Sequence, residues 1–240
     1  MFKLALNAGH GYNTAGKRCL KSIDPKETRE YVLNKRICDY IQKTLSEYKD
    51  IEVLRTDDGS EISVAKRAAT ANKFNADVYI SVHHNAGIKG GKGGGIEAYV
   101  YLNVDSKTKD WQKSLYDSLI STTALKGNRA MPIKSANFGE LRLTKMPAVL
   151  LECGFMDSLV DTPIILTDEF AQKAAQAIAD TVIQKSGLKK TPTAKKTTEQ
   201  IALEVIRGEW GNGAERKQRL AAAGYNYTTI QRRVNKILKG

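Results

Sequence analysis

Asn75–Gly87 reads NADVYISVHHNAG. Its centre, VYISV, is a short apolar run rich in β-branched and aromatic residues, bounded by Asn-Ala-Asp on one side and a glycine-rich loop on the other. That pattern predicts a strand buried on both faces. The whole chain has three histidines, and two of them, His83 and His84, end this strand. Neighbours on an extended strand point to opposite faces. One of the two can therefore serve a shared site, and the other faces elsewhere unless the strand breaks.

Working outward, strand-like and helix-like segments alternate through residues 1–186. KLALNAG, IEVLRT, IEAYVYL and AVLLECG read as further strands. ETREYVLNKRICDYIQKTLSEY places Val32, Leu33, Ile37, Ile41 and Leu45 at helical spacing. SVAKRAATANKFN reads as a helix started by Ser63, and WQKSLYDSLIST and EFAQKAAQAIADTVIQKS as two more. The alternation predicts an α/β domain with a mostly parallel central sheet flanked by helices. In such sheets chemistry collects beyond the carboxyl ends of the strands. Three of these ends carry His10, His83 and Glu152.

The remaining organisation follows from composition. The 240 residues are 41% hydrophobic, enough for one sizeable core and a small appendage. No segment reaches the ~20 apolar residues of a membrane span. The N-terminus lacks a charged stretch followed by a long apolar one, so the expectation is synthesis in the cytoplasm without a signal peptide. Cys19, Cys38 and Cys153 are odd in number and scattered, which argues for reduced thiols and not for a disulfide framework. The net charge is +12, and residues 189–240 hold +8 of it, twelve Lys and Arg against four Glu. That tail predicts attraction to a polyanion, nucleic acid or an anionic cell wall, unless its basic helices are merely solvated. Residues 187–197 mix Lys, Thr, Pro and Gly without periodicity and read as a linker. Residues 198–240 read as three short amphipathic helices, a small C-terminal three-helix bundle.

Imidazole and carboxylate suit zinc, whose catalytic sites use three protein ligands and keep one position open. Glu27 and Glu30 both stand near the start of the first helix, where either could simply favour the helix dipole. Glu152 ends a buried strand, and a carboxylate there needs a partner or a task. GIKGGKGGG, residues 87–95, lacks the Ser or Thr of a phosphate-binding loop and runs into a strand, so it reads as a flexible loop rimming the cleft.

Taken in order, LNAGHGYNTAG, EYVLN, LRTDDG, SVAKRAATANKFNADVYISVHHNA, GGIEAYVY and MPAVLLECGFMDS resemble the motifs of zinc-dependent N-acetylmuramoyl-L-alanine amidases. The resemblance implies an α/β catalytic domain over residues 1–186 that hydrolyses the amide between N-acetylmuramic acid and the first L-alanine of the stem peptide. It implies one zinc ion held by His10, Glu30 and His83, with Glu152 as the catalytic acid and base. An acid followed four residues later by Asn selects Glu30 and Asn34 over Glu27. The family usually has a small residue where His84 stands, so the role of His84 stays open. Asn85, Arg142 and His84 are the expected substrate contacts.

The C-terminal segment, including GEWGNG and AAGY, resembles the short cell-wall-binding repeats at the ends of some phage lysozymes. That resemblance implies binding to peptidoglycan through Trp210, Asn212, Arg216, Arg219 and Tyr225, although Trp210 and Tyr225 could equally fill a small core. The combined expectation is a modular enzyme of phage endolysin type, made in the host cytoplasm and acting on the wall of a Gram-positive host after release. Its expected partner is peptidoglycan, with no nucleic acid and no stable membrane association. A bacterial autolysin or sporulation amidase is the alternative. A basic nucleic-acid-binding adaptor is the rival of a different class, and it would not need the four residues at strand and helix ends.

Overall fold

In a computed structural model that describes residues 1–191 and 196–239, the chain divides into two units, Met1–Thr191 and Pro192–Gly240. The first runs β1 (Phe2–Ala8), α1 (Glu30–Leu45), β2 (Ile51–Arg55), α2 (Val64–Phe74), β3 (Val78–Asn85), β4 (Ile96–Val100), α3 (Ser106–Thr123), β5 (Ile133–Ser135), α4 (Gly139–Leu143), β6 (Ala148–Phe155), α5 (Asp161–Ile165) and α6 (Asp168–Ser186). The second holds α7 (Thr198–Ile206), α8 (Gly213–Ala222) and α9 (Tyr227–Leu238).

The strands form one six-stranded sheet in the order β2-β1-β3-β6-β4-β5. β2, β1, β3 and β6 are mutually parallel, whereas β4 pairs antiparallel with β6 and parallel with β5. The two reversed strands place the start of β4 beside the carboxyl end of β6, with Glu97 opposite Glu152. β3 lies in the middle and is buried from Val78 to His84, which is why its sequence is continuously apolar and does not alternate. One face of the sheet packs Leu4, Leu6, Ile80, Val82, Val149 and Leu151 against α1, α3 and α6. The other packs Ala5, Tyr79 and Leu150 in a smaller cluster that includes Ala71 of α2 and Leu141 of α4.

The helices start where local chemistry supplies caps. The Ser63 side chain accepts from the Lys66 amide, and Thr167 accepts from that of Phe170. Asn75 ends α2 in the left-handed conformation. α1 departs from its apolar pattern in an informative way. Val32 is 39% exposed, whereas Glu30 and Asn34 lie on the buried stripe at 1% and 0%. β5 and α4 fall in GNRAMPIKSANFGELRLTKM, where three and five residues are too few to show a period.

The loop at 87–95 is tied down. The Asp157 carboxylate accepts from the amides of Gly87 and Lys89, and Asp161 accepts from that of Gly95. Ser158 donates to the Gly93 carbonyl. These residues follow β6 directly, so the expected flexible rim is instead fastened to the strand that carries Glu152.

The expected linker is shortened from both sides. Gly187 caps α6, the Lys49 amide donates to Lys189, and that of Thr191 donates to Glu47. Thr197 forms a reciprocal capping box with Gln200 at the start of α7, and the Lys196 amide donates to the Tyr225 hydroxyl. Residues 192–195 of the expected linker lie outside the described residues.

In the second unit, Ile201, Ala202, Val205, Leu220, Ile230 and Val234 form a small core. Trp210 and Tyr225 pack edge to face against its side, ring centres 6.0 Å apart. The Trp210 indole donates to Glu204, which also pairs with Lys196. Arg216 is committed internally, donating to the Gly211 carbonyl, Asn212 and Gln231. Arg219 is exposed beside Glu215, one helical turn away. Among the described residues, no helix is long and apolar enough to cross a membrane.

Candidate metal centre and active site

His10 ends the turn after β1 with φ of 65°, a left-handed conformation that costs a non-glycine residue energy and persists only when its surroundings hold it. Arg67 supplies that hold. It is 2% exposed and donates to the carbonyls of Ala8 at 2.7 Å and His10 at 2.5 Å, and to Asn7 Oδ1 at 2.6 Å. The preceding residue has to be glycine, because a Cβ on Gly9 would stand 2.0 Å from the His83 ring.

Glu30 opens α1 and points inward. Its Oε2 is 3.4 Å from His10 Nε2, and its Oε1 is 3.2 Å from His83 Nδ1. Donors on a tetrahedral sphere of about 2.0–2.1 Å radius stand roughly 3.3–3.4 Å apart, so these spacings suit one small cation. His10, Glu30 and His83 each offer a ligand atom within 4.8 Å of the others. Among the described residues, Glu30 Oε2 is buried without a hydrogen-bond partner. An orphaned carboxylate oxygen at the meeting point of two imidazoles is what a metal would satisfy, and two imidazoles with one carboxylate fit zinc.

The electrostatics point the same way. Burial lowers the His10 pKa to about 4, with Glu30 opposing only in part, so its ring is neutral and can act as a ligand. Burial opposes the charge on Glu30, but the hydrogen bond from His83 and the positive charges of His83 and Lys17 hold it ionised, at about 2. His83 shifts upward despite burial because Glu140 and Glu30 flank it. A ring between two carboxylates favours positive charge, whether a proton or a metal ion supplies it.

Glu152 is the register partner of His83 on β6. Burial raises its pKa to about 7, a shift that His83 opposes and Glu30 reinforces. Its Oε2 is buried and without a partner among the described residues. A carboxyl group poised near neutrality is suited to take and return a proton. His10, His83 and Glu152 line one cavity of about 470 Å³, walled also by Thr14, Lys17, Glu61, Ile62, Phe138 and Glu140.

The expected substrate contacts separate. Asn85 lines the cavity, its amide donating to Glu97 at 3.0 Å. Glu97 is 1% exposed and also accepts from Tyr99, Arg129 and Lys134, so it anchors two cations beside Glu152. His84 does not line the cavity. It is 2% exposed on the opposite face of β3, its Nδ1 2.7 Å from Asn34 Oδ1, and burial lowers its pKa to about 3. Strand alternation sends it there, and its contribution to the centre is its main-chain amide, which donates to Glu30. Arg142 is exposed outside the cavity lining and donates to Asn137. Sequence patterning missed Arg67 and Glu140. The signal for Arg67 was available: it shares the buried stripe of α2 with Ala68 and Ala71. Glu140 sits on a helix too short to have a stripe.

Residues 4–184 match the family model described as N-acetylmuramoyl-L-alanine amidase, and residues 199–238 match the CW_7 repeat. The chain is similar to the N-acetylmuramoyl-L-alanine amidase CwlM of Bacillus licheniformis, 30% identical across 81% of this chain and 72% of that protein. It is also similar to the endolysin of Bacillus phage SPP1, 31% identical across 77% of this chain and 66% of that protein. Among solved structures, the catalytic domain of CwlV, an N-acetylmuramoyl-L-alanine amidase from Bacillus (Paenibacillus) polymyxa var. colistinus, superposes with a TM-score of 0.70 at 25% identity, covering 79% of this chain and 100% of that one. The chain therefore belongs to the N-acetylmuramoyl-L-alanine amidase family of peptidoglycan hydrolases and carries a CW_7 repeat behind its amidase region.

Proposed function

We propose that this chain hydrolyses the amide between the lactyl group of N-acetylmuramic acid and the L-alanine of the stem peptide, with one zinc ion held by His10, Glu30 and His83. The observation that carries the reading is the convergence of ligand atoms from His10, Glu30 and His83, two of which, His10 and His83, line the same cavity as Glu152. When bound, zinc supplies Lewis acidity toward water and toward the scissile carbonyl. Glu152 accepts a proton from the attacking water and later returns it to the departing alanine nitrogen. Desolvation, which raises the Glu152 pKa to about 7, supports this role. Asn85 lines the cavity beside Glu97, which supports a role for it in orienting the substrate backbone.

The C-terminal unit binds the wall and concentrates the catalytic unit on its polymeric substrate. Its basic charge and the match to the CW_7 repeat support this. Trp210 and Tyr225, partly exposed on the side of the small core, are the proposed contacts together with Asn212 and Arg219. Arg216 shapes that surface by holding the turn before α8 against α9. The similarity to a phage endolysin favours a lytic enzyme that meets the wall only after release from the cytoplasm.

Digestion of purified Gram-positive walls tests the reading. New L-alanine amino termini should appear, vanish with a chelator and return with zinc. Reducing sugar ends in place of amino termini would refute it. Cells expressing the chain internally should stay intact until their membrane is permeabilised, and lysis without permeabilisation would contradict the endolysin assignment.

A further inference from the structure

His83 has two ring nitrogens, and only one faces His10 and Glu30. Nδ1 turns toward Glu30 Oε1, which leaves Nε2 in a second polar cluster. Ser81 Oγ lies 3.0 Å from that Nε2 and 2.6 Å from Glu140 Oε2. Asn7 Nδ2 donates to Ser81 Oγ at 2.9 Å and approaches both Glu140 oxygens at 3.4 Å. The Tyr79 hydroxyl donates to Glu140 Oε2 at 3.4 Å. Glu140 is only 6% exposed, and the groups around its carboxylate are donors.

The direction of each bond follows. A carboxylate among donors accepts from all of them. Ser81 gives its one hydrogen to Glu140, so its oxygen accepts from His83, and Nε2 keeps its hydrogen. The lone pair available to a cation is then the one on Nδ1. Glu140 itself stands 3.6 Å from Nε2, at the opposite edge of the ring from Nδ1, so it cannot ligate the same ion.

We propose that Glu140 is a positioning residue for the metal centre: through Ser81 it fixes the tautomer and orientation of His83 and places an extra negative charge behind that ligand. Carboxylates that hold a ligating histidine from behind typically change metal affinity 10- to 100-fold. The inference rests on the zinc reading above. It separates the role of Glu140 from that of Glu152, because the reading gives Glu152 the substrate and Glu140 the ligand His83.

Zinc dissociation constants measured by chelator competition on the full chain test it, alongside kcat and KM on a soluble muropeptide at saturating zinc. Glu140→Gln should weaken zinc binding roughly 10- to 100-fold while KM stays within about twofold of wild type. Ser81→Ala, which breaks the relay and leaves the charge, should weaken it by a smaller but measurable factor, roughly 3- to 10-fold, and unchanged affinity in this variant alone overturns the proposal if Glu140→Gln fails to fold. Unchanged zinc affinity in both folded variants would overturn the proposal. A raised KM with unchanged affinity would also overturn it, making Glu140 a substrate contact. Failure of the wild-type chain to take up zinc would defeat the zinc reading itself, a distinct result.

Discussion

Glu152 stands beside His83 in adjacent parallel strands, each the register partner of the other. Side chains at paired positions leave the sheet on the same face, so the proposed base and a proposed ligand enter one cavity without help from any loop. The strand pair is central and buried, so the juxtaposition rests on main-chain pairing. His10, in the turn after β1, is held by a buried arginine, and Glu30 by a helix end and the His84 amide.

Glu152→Gln keeps the shape of the side chain and removes its capacity to move a proton. Amide hydrolysis should fall by roughly 10²–10⁴-fold. Zinc affinity should change little, because Glu152 is not among the three ligands. Amino-terminus release by the variant, followed beside chelator competition, checks both parts. Retention of full activity would remove Glu152 from the mechanism.

The raised pKa of Glu152 has a consequence for stability in the metal-free protein. Its folded value, about 7, lies above the unfolded value of 4.5. Between those values the folded state binds more protons than the unfolded one, so stability falls as pH rises through that window. Below about 4.5 the group is protonated in both states and contributes nothing. Metal-free Glu152→Gln should therefore melt higher than metal-free wild type at pH 8, and the gap should close by pH 4. A bound cation favours the carboxylate, so the acid limb of activity should lie below pH 7 and above the ordinary carboxylate range.

Strand ends and motif order made His10, Glu30, His83 and Glu152 visible in the sequence, because each sits where an apolar run stops or a helix begins. The residues that hold them in place were harder to see. Arg67 reads as one more charge on an amphipathic helix until its carbonyl partners are known. Glu140 lies in a stretch whose strand and helix are too short for any period, and its partners are 59 to 133 residues away in sequence. Long-range hydrogen bonds leave no periodic trace. The reversed direction of β4 was equally hidden, since a single strand reads alike in both directions.

Gly9→Ala places a methyl group in the space of the His83 ring. Overpacking of this kind costs about 1–3 kcal/mol, and here the ring must turn away from Glu30 to relieve it. The variant should fold with a lowered melting temperature and lose zinc affinity by more than tenfold. Isothermal titration with zinc checks this. Unchanged affinity would mean that the ring and the turn can separate without disturbing the ligands.

His84→Ala removes a buried ring that bonds Asn34 behind the sheet. Leaving Asn34 Oδ1 without that partner and opening a cavity should cost about 2–4 kcal/mol. KM for a soluble muropeptide should stay within about twofold, because the ring does not line the cavity. A large rise in KM with unaltered melting would instead return His84 to the substrate.

Separation of the two units tests what the basic tail contributes. Residues 1–191 form a complete sheet with its covering helices and include the short bridge at Tyr48 and Lys190. This fragment should cleave soluble muropeptides as fast as the full chain. On intact walls its activity at low enzyme concentration should drop, since simultaneous engagement of both units can raise overall avidity by roughly 10²–10⁴-fold over either alone. Added salt should narrow the difference, because part of the attraction of the removed segment, residues 192–240 with a net charge of +6, to an anionic wall is screened. Co-sedimentation with walls at two ionic strengths, run beside the activity assay, measures both effects. Equal wall binding by fragment and full chain would assign recognition to the catalytic unit alone.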